Sequence, residues 1–191
     1  MQLLKDRILR DGYALGNDIL LVDSFINHQV DPEMMRQIGM EFARIFGDKG
    51  VTKVATIAVS GVSPALMTAL ELGVPMLIMK KEVSRILSQE LLQTPVHSYT
   101  RGNDYLLTAK RCFLEPGDRV LFIDDFLANG EAAMGAVRIV ESSGATLVGI
   151  GSVIEKAFQP GREKLRTLGY EPVALARIGR LDEGVIEFEE N

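Results

Sequence analysis

Cysteine is nearly absent from this chain. Cys112 stands alone, so no internal disulfide can form, and a single cysteine suits a reducing compartment. Histidine is almost as scarce. His28 and His97 lie far apart, and together with one cysteine they argue against a structural zinc site. No apolar run reaches the length of a membrane span. Excess positive charge is lacking too: 21 Lys and Arg face 26 Asp and Glu, for a net charge of −5. That balance argues against a general nucleic-acid binder and against a polybasic membrane anchor. The start, Met1-Gln-Leu-Leu-Lys-Asp-Arg7, is charged and helical in pattern, unlike a signal peptide. Repeats and low-complexity tracts are missing. The expectation is one soluble cytoplasmic domain spanning residues 1–191, without membrane or nucleic-acid partners.

What is present supports a packed core. Hydrophobic residues make up 47 % of the chain and charged residues 25 %. Residues 2–11 read as a short helix, and Ile19 to Val22 as a strand followed by an irregular segment, Asp23 to Val30. Asp31-Pro32-Glu33 is a helix start: a cap, a proline in the first turn and an acid near the dipole. Met35, Ile38, Phe42 and Ile45 then recur at helical spacing. Strands are expected at Lys53–Val59, Met76–Met79, 120–123 and 146–154, with helices between them. That alternation predicts a parallel, doubly wound α/β sheet. The middle interrupts it. Val96–Tyr99 and Tyr105–Ala109 flank Thr100-Arg-Gly-Asn-Asp104, which reads as a β-hairpin turn within a lid or interface element. A short helix near 161–168 and weak strands to Phe188 close the chain.

The segment around residue 124 carries the most chemistry. A buried strand pattern, Val120 to Ile123, runs into two adjacent carboxylates, Asp124 and Asp125. A small loop, Ala128-Asn129-Gly130, opens a helix through Ala132, Ala133, Ala136, Val137 and Val140, stopped by Gly144. Helix N-termini expose unpaired N–H groups that bind phosphate. The acids can accept hydrogen bonds from ribose hydroxyls or hold Mg²⁺ through water. The plainer reading is an acid-ended strand with an ordinary capped helix. Ligands bind at the carboxyl ends of parallel strands, and two further ends look specialised. One gives Val59-Ser60-Gly61, where backbone N–H groups can meet an anion. The other gives the cations Lys80 and Lys81. A plain turn and a solvated lysine pair are the bland alternatives. Together the three ends suit a substrate carrying a pyrophosphate, a ribose and a 5′-phosphate.

Val120-Leu-Phe-Ile-Asp-Asp-Phe-Leu-Ala-Asn-Gly-Glu-Ala-Ala133 resembles the phosphoribosyl-pyrophosphate motif of the type I phosphoribosyltransferases. Three further segments are similar to the bacterial xanthine branch of that family. They are Val22-Asp-Ser-Phe-Ile-Asn-His-Gln-Val-Asp-Pro32, Val153-Ile-Glu-Lys-Ala-Phe-Gln-Pro-Gly-Arg162 and Leu175-Ala-Arg-Ile178. The resemblance covers essentially the whole chain. It implies a core of about 31–154, a small hood from about 1–30 and 155–191, and a flexible β-hairpin lid over 81–110. It implies Mg²⁺-dependent transfer of ribose 5-phosphate from phosphoribosyl pyrophosphate to N9 of xanthine, in a homodimer. By the same likeness Ala128, Asn129, Gly130, Glu131 and Ala132 cradle the 5′-phosphate. Asp124 and Asp125 sit at the ribose hydroxyls as the catalytic pair. Ser60, Gly61, Lys80 and Lys81 serve the pyrophosphate, and Leu20, Asn27 and Lys156 line the purine site. The metal is expected to be held through pyrophosphate and ribose, without a dedicated protein cage.

Lysine donates and never accepts. Pointed at the purine 6-position, Lys156 suits the O6 of xanthine, guanine or hypoxanthine and mismatches the amino group of adenine. Asn27 can turn its amide to give or accept at the 2-position. Without the family, a salt bridge to Glu155 or Glu163 accounts for Lys156, and a loop turn for Asn27. The chain departs from the family in three places. Ala58-Val59-Ser60-Gly61 stands where Glu-Ser-Ser-Gly is common. Glu131 replaces a frequent Gln, and an acid beside phosphate is unfavourable unless it points outward. Ala128 replaces the acid of hypoxanthine-guanine enzymes, which leaves no obvious general base. The rivals are a guanine or hypoxanthine enzyme and a phosphoribosyl-pyrophosphate sensor of the same fold. Too few residues precede the first strand for the DNA-binding domain such repressors carry.

Overall fold

The computed structural model describes residues 1–82, 90–98 and 103–189. Helices α1 (Gln2–Asp11), α2 (Pro32–Phe46), α3 (Val62–Leu72), α4 (Glu131–Ser143) and α5 (Gly161–Thr167) surround two sheets. The small sheet is the antiparallel pair β1 (Tyr13–Leu15) and β2 (Ile19–Leu21). The large one contains β3 (Lys53–Ile57), β4 (Met76–Glu82), β5 (Leu91–Ser98), β6 (Asn103–Lys110), β7 (Arg119–Leu127), β8 (Thr146–Lys156), β9 (Val173–Asp182) and β10 (Val185–Phe188). Its order is β10-β9-β8-β7-β3-β4-β6-β5. The β9-β8-β7-β3-β4 centre is parallel, and β10, β5 and β6 pair antiparallel at the flanks.

Strands β3, β7 and β8 are buried on both faces, which is why they read as near-continuous apolar runs; along β4 burial alternates, with Leu77 and Met79 buried and Ile78 exposed. Along β7, Leu121 and Ile123 face one core with α2 and α3, through Ile38, Phe42, Ala65 and Ala69. Val120 and Phe122 face the other, with Ala133, Ala136, Val137 and Val140 of α4 and Leu165 of α5. Helix α2 starts as expected: the Asp31 carboxylate accepts from the N–H groups of Glu33 and Met34, each at 3.1 Å. The chain ends meet at one edge. The Met1 ammonium donates to the Leu175 carbonyl, and the Gly184 N–H donates to the Ala14 carbonyl at 2.9 Å. We propose the hood of 1–30 and 155–191 on the ground of this contact.

Several elements differ from the sequence reading. Strand β7 runs on through both acids to Leu127, and β4 runs on through Lys80 and Lys81 to Glu82. Neighbouring strands complete their backbone hydrogen bonds there, which matters more than side-chain polarity. Strand β3 stops at Ile57, and the next peptide, Ala58–Val59, is cis. Strand β1 was not expected, and Asp23–Asn27 forms one π turn rather than an irregular stretch. The hairpin is longer than its pattern suggested and joins the main sheet through β4 and β6. Its inward residues Leu92, Val96, Leu107 and Ala109 are buried in the α4 core. Pro95 is tolerated because β5 is an edge strand. The centre of the expected turn, 99–102, and residues 83–89 of the expected lid lie outside the described residues.

Candidate active site

Strand β7 positions the acid pair, and its pleat separates the two side chains. Asp124 shares the face of Phe122 and lines a cleft with Lys81, Tyr105, Ser152 and the 128–133 segment. Asp125 points to the other face, and its backbone N–H donates to Asp124 Oδ1 at 3.0 Å. Burial, and next the charge of Asp125, hold the Asp124 carboxyl well above the usual carboxylate range, against the pull of that N–H group and of Lys81. Across the cleft Tyr105 is pushed up to about 12, first by burial and then by the charges of Asp124 and Glu131. The Lys81 ammonium sits 5.3 Å from the centre of the Tyr105 ring. Lys80, one residue earlier, faces the other side of β4 and is exposed, so the structure does not bring it into this cleft.

The loop after β7 closes one end of the cleft. Gly130 adopts φ +83°, and α4 begins on it with no side chain capping its first N–H groups. α3 likewise begins at Gly61 with no side-chain cap. Helix α2, by contrast, is capped by Asp31, so among the described residues the first N–H groups of α3 and α4 have no side-chain acceptor. Gly61 is required by space, since a Cβ there would lie 2.6 Å from Asp124 Oδ1. Ser60, beside it, is half-exposed. Gly130 and Gly161 also press together, for a Cβ on Gly130 would lie 2.9 Å from the Gly161 Cα. The Gly161 N–H donates to the Ala128 carbonyl at 2.9 Å, so α5 holds the loop from behind. Glu131, the unusual acid, is turned toward α5, where Lys164 Nζ binds its Oε1 at 2.8 Å.

The three purine residues fall into different settings. Lys156 ends β8, and its ammonium lies 5.9 Å from the Phe126 ring centre, a ring that also lines the cleft. It donates to the Asp18 carbonyl and lies 3.7 Å from the Asp18 carboxylate. Burial lowers its pKa, against the opposing effect of Asp18. Neither expected salt-bridge partner takes it. Glu155 is buried and gripped by Arg162 at 2.8 and 2.5 Å and by Arg177 at 3.2 Å. Glu163 faces Arg166 at 3.8 Å. Leu20 is buried in the α2 and α3 core, and Asn27 is exposed at the end of the π turn; neither borders the phosphate cleft. Sequence reasoning passed over Tyr105, Asp18, Lys164 and Ser152. Ser152 stands opposite Asp124 in the β7–β8 register, and its hydroxyl is buried in the cleft wall with no hydrogen-bond partner. Cross-strand register brings Ser152 to Asp124, and tertiary packing brings Asp18 to Lys156 and Lys164 to Glu131; no local motif announces either.

Among solved structures, adenine phosphoribosyltransferase from Rhodothermus marinus superposes with a TM-score of 0.75 at 22 % identity, covering 93 % of this chain and 100 % of that one. The enzyme from Trypanosoma brucei, solved with AMP, pyrophosphate and ribose 5-phosphate, gives 0.73 at 20 % identity, over 90 % of this chain and 79 % of that one. The fold, carrying an acid pair and a glycine-turned loop on one strand-loop-helix unit, is that of a type I phosphoribosyltransferase. No family model matches the chain. Xanthine phosphoribosyltransferase 1 of Clostridium botulinum strain Hall is 52 % identical over 188 residues, 98 % of this chain and 99 % of that relative. The xanthine phosphoribosyltransferase of Agathobacter rectalis is 52 % identical over 192 residues, covering both chains fully, and that of Streptococcus pneumoniae strain Hungary19A-6 is 48 % identical over 190 residues, 100 % of this chain and 98 % of that relative. The chain belongs to the xanthine phosphoribosyltransferase family.

Proposed function

We propose that this protein transfers ribose 5-phosphate from phosphoribosyl pyrophosphate to N9 of xanthine, releasing pyrophosphate and xanthosine 5′-monophosphate, as a step of purine salvage. The carrying observation is the uncapped α4 N-terminus on the same strand-loop-helix unit as Asp124 and Asp125. The N–H groups of 130–133 hold the 5′-phosphate, and Asp124, the acid on the cleft face, accepts from the ribose hydroxyls. Those contacts fix the sugar while C1′ gains oxocarbenium character and pyrophosphate departs. Lys81, on the cleft face, opposes the growing negative charge of the leaving group. The chemistry of the cleft fits Mg²⁺: the Asp124 carboxylate is a hard oxygen ligand, and a dication beside it would offset the cost of its charge, which burial first and the neighbouring Asp125 second impose. When bound, the ion neutralises pyrophosphate. We also read the enzyme as a cytoplasmic homodimer, from the family likeness; among the described residues no helix is long and apolar enough to cross a membrane.

Lys156 supports a 6-oxopurine, since its ammonium has donors beyond the one given to Asp18. The test is turnover with phosphoribosyl pyrophosphate and Mg²⁺ on xanthine, guanine, hypoxanthine and adenine, in wild type and Lys156→Leu. Xanthine is expected to lead in wild type. The variant is expected to lose about ten- to a hundredfold in efficiency on the 6-oxopurines, the worth of a charged hydrogen bond, and comparatively little on adenine. An unchanged xanthine-to-adenine ratio would overturn the base assignment.

A further inference from the structure

Glu131 creates an electrostatic problem that the fold answers. It occupies the first turn of α4, lines the cleft, and carries a full negative charge beside the N–H groups that hold phosphate in the reading above. Two like charges at such range repel strongly where water is partly excluded. The carboxylate is not turned out to bulk water. Its side chain is 23 % exposed, and Lys164 Nζ, itself only 32 % exposed, contacts it at 2.8 Å. Lys164 rides on α5, whose first residue presses on Gly130 and bonds the Ala128 carbonyl, so the cation is fixed relative to the loop. The charge of Glu131 is also felt across the cleft at Tyr105.

We propose that Lys164 is a positioning residue for the 5′-phosphate: it draws the Glu131 carboxylate toward α5 and cancels its charge, so the loop meets a sugar phosphate as an electrically neutral cradle. This deepens the functional reading and rests on it. No local pattern pairs the two residues, which lie on separate helices. The expected behaviour is one of sign. Removing the cation leaves the Glu131 charge uncompensated and weakens phosphate; removing the anion relieves the repulsion and strengthens it; removing both brings the affinity back toward wild type.

The experiment measures the dissociation constant of ribose 5-phosphate and the KM for phosphoribosyl pyrophosphate in wild type, Lys164→Gln, Glu131→Gln and the double variant. Lys164→Gln is expected to raise both constants about tenfold, equivalent to about 1.4 kcal/mol, with kcat within about twofold. Glu131→Gln is expected to lower the ribose 5-phosphate constant, and the double variant to fall back near wild type. The differences should shrink as salt rises, because the charges are only partly buried. A pair that merely braces the helices predicts that both single changes weaken binding and that the double change does not recover. That result, or four equal constants, would overturn the proposal. Wild-type turnover on the purine panel is read separately: if transfer fails while ribose 5-phosphate still binds with the expected order of affinities, the functional reading falls and the charge pairing stands.

Discussion

Asp124 illustrates how a single side chain can serve chemistry at the expense of stability. Burial and the neighbouring Asp125 raise its pKa above the ordinary 3.8, so the folded state binds its proton more tightly than the unfolded chain does. The favourable contribution is therefore fully present below about pH 3.8 and is lost as pH rises through the raised folded value. Wherever the group is ionised in the folded state, its charge destabilises the fold. Asp124→Asn is expected to raise the melting temperature at pH 7, to lose that advantage at about pH 3.5, and to cut turnover by orders of magnitude. Melting curves across pH, beside an assay at pH 7, check this. A variant less stable than wild type at pH 7 would mean that Asp124 is a structural acceptor rather than a strained functional one. Adjacent acids were visible in the sequence; which of them enters the cleft depended on the pleat, and the pleat depended on β7 continuing past them.

Strand β8 and helix α5 form a unit that presents Lys156 on one side and supports the phosphate loop on the other. Its anchor is Glu155, 1 % exposed, chelated by Arg162 and assisted by Arg177, which also reaches Glu189 at 2.9 Å. Breaking a buried ion pair by removing one partner strands a charge. Arg162→Met is expected to cost about 3 kcal/mol, the low end for such a change because Arg177 remains. Chemical denaturation at neutral pH measures it; a loss below about 1 kcal/mol would show the pair to be solvated like a surface bridge. The sequence motif that includes Arg162 pointed to purine binding, yet the side chain is spent on holding the strand-helix corner. Helix patterns elsewhere were legible because caps and periodicity are local. The β5–β6 stem was not fully so: its inward Leu92, Val96 and Leu107 gain their meaning from α4, a distant segment.

For the molecule as a whole, the eight-stranded sheet, with a core on each side, ties the 128–130 loop, Lys81 of β4 and Lys156 of β8 into one frame. A ligand that grips this frame must stabilise all of it. Phosphoribosyl pyrophosphate with Mg²⁺ at a hundred times its dissociation constant adds about 2.7 kcal/mol, which for a chain of this length raises the melting temperature by about 5–11 °C. A thermal scan with and without substrate checks the value, and no shift at saturating concentration would argue against the substrate. Composition, strand-helix alternation and the acid-loop-helix stretch were sufficient to define the class of fold, because those signals lie within a few residues of one another. Tertiary structure decided the rest: the pleat of β4 put Lys81 in the cleft and Lys80 out of it, strand register put Ser152 opposite Asp124, and packing of the β1–β2 turn and of α5 put Asp18 at Lys156 and Lys164 over Glu131. Those pairings join residues up to 138 positions apart, and contacts at such separation exist only once the sheet has closed and its helices have packed.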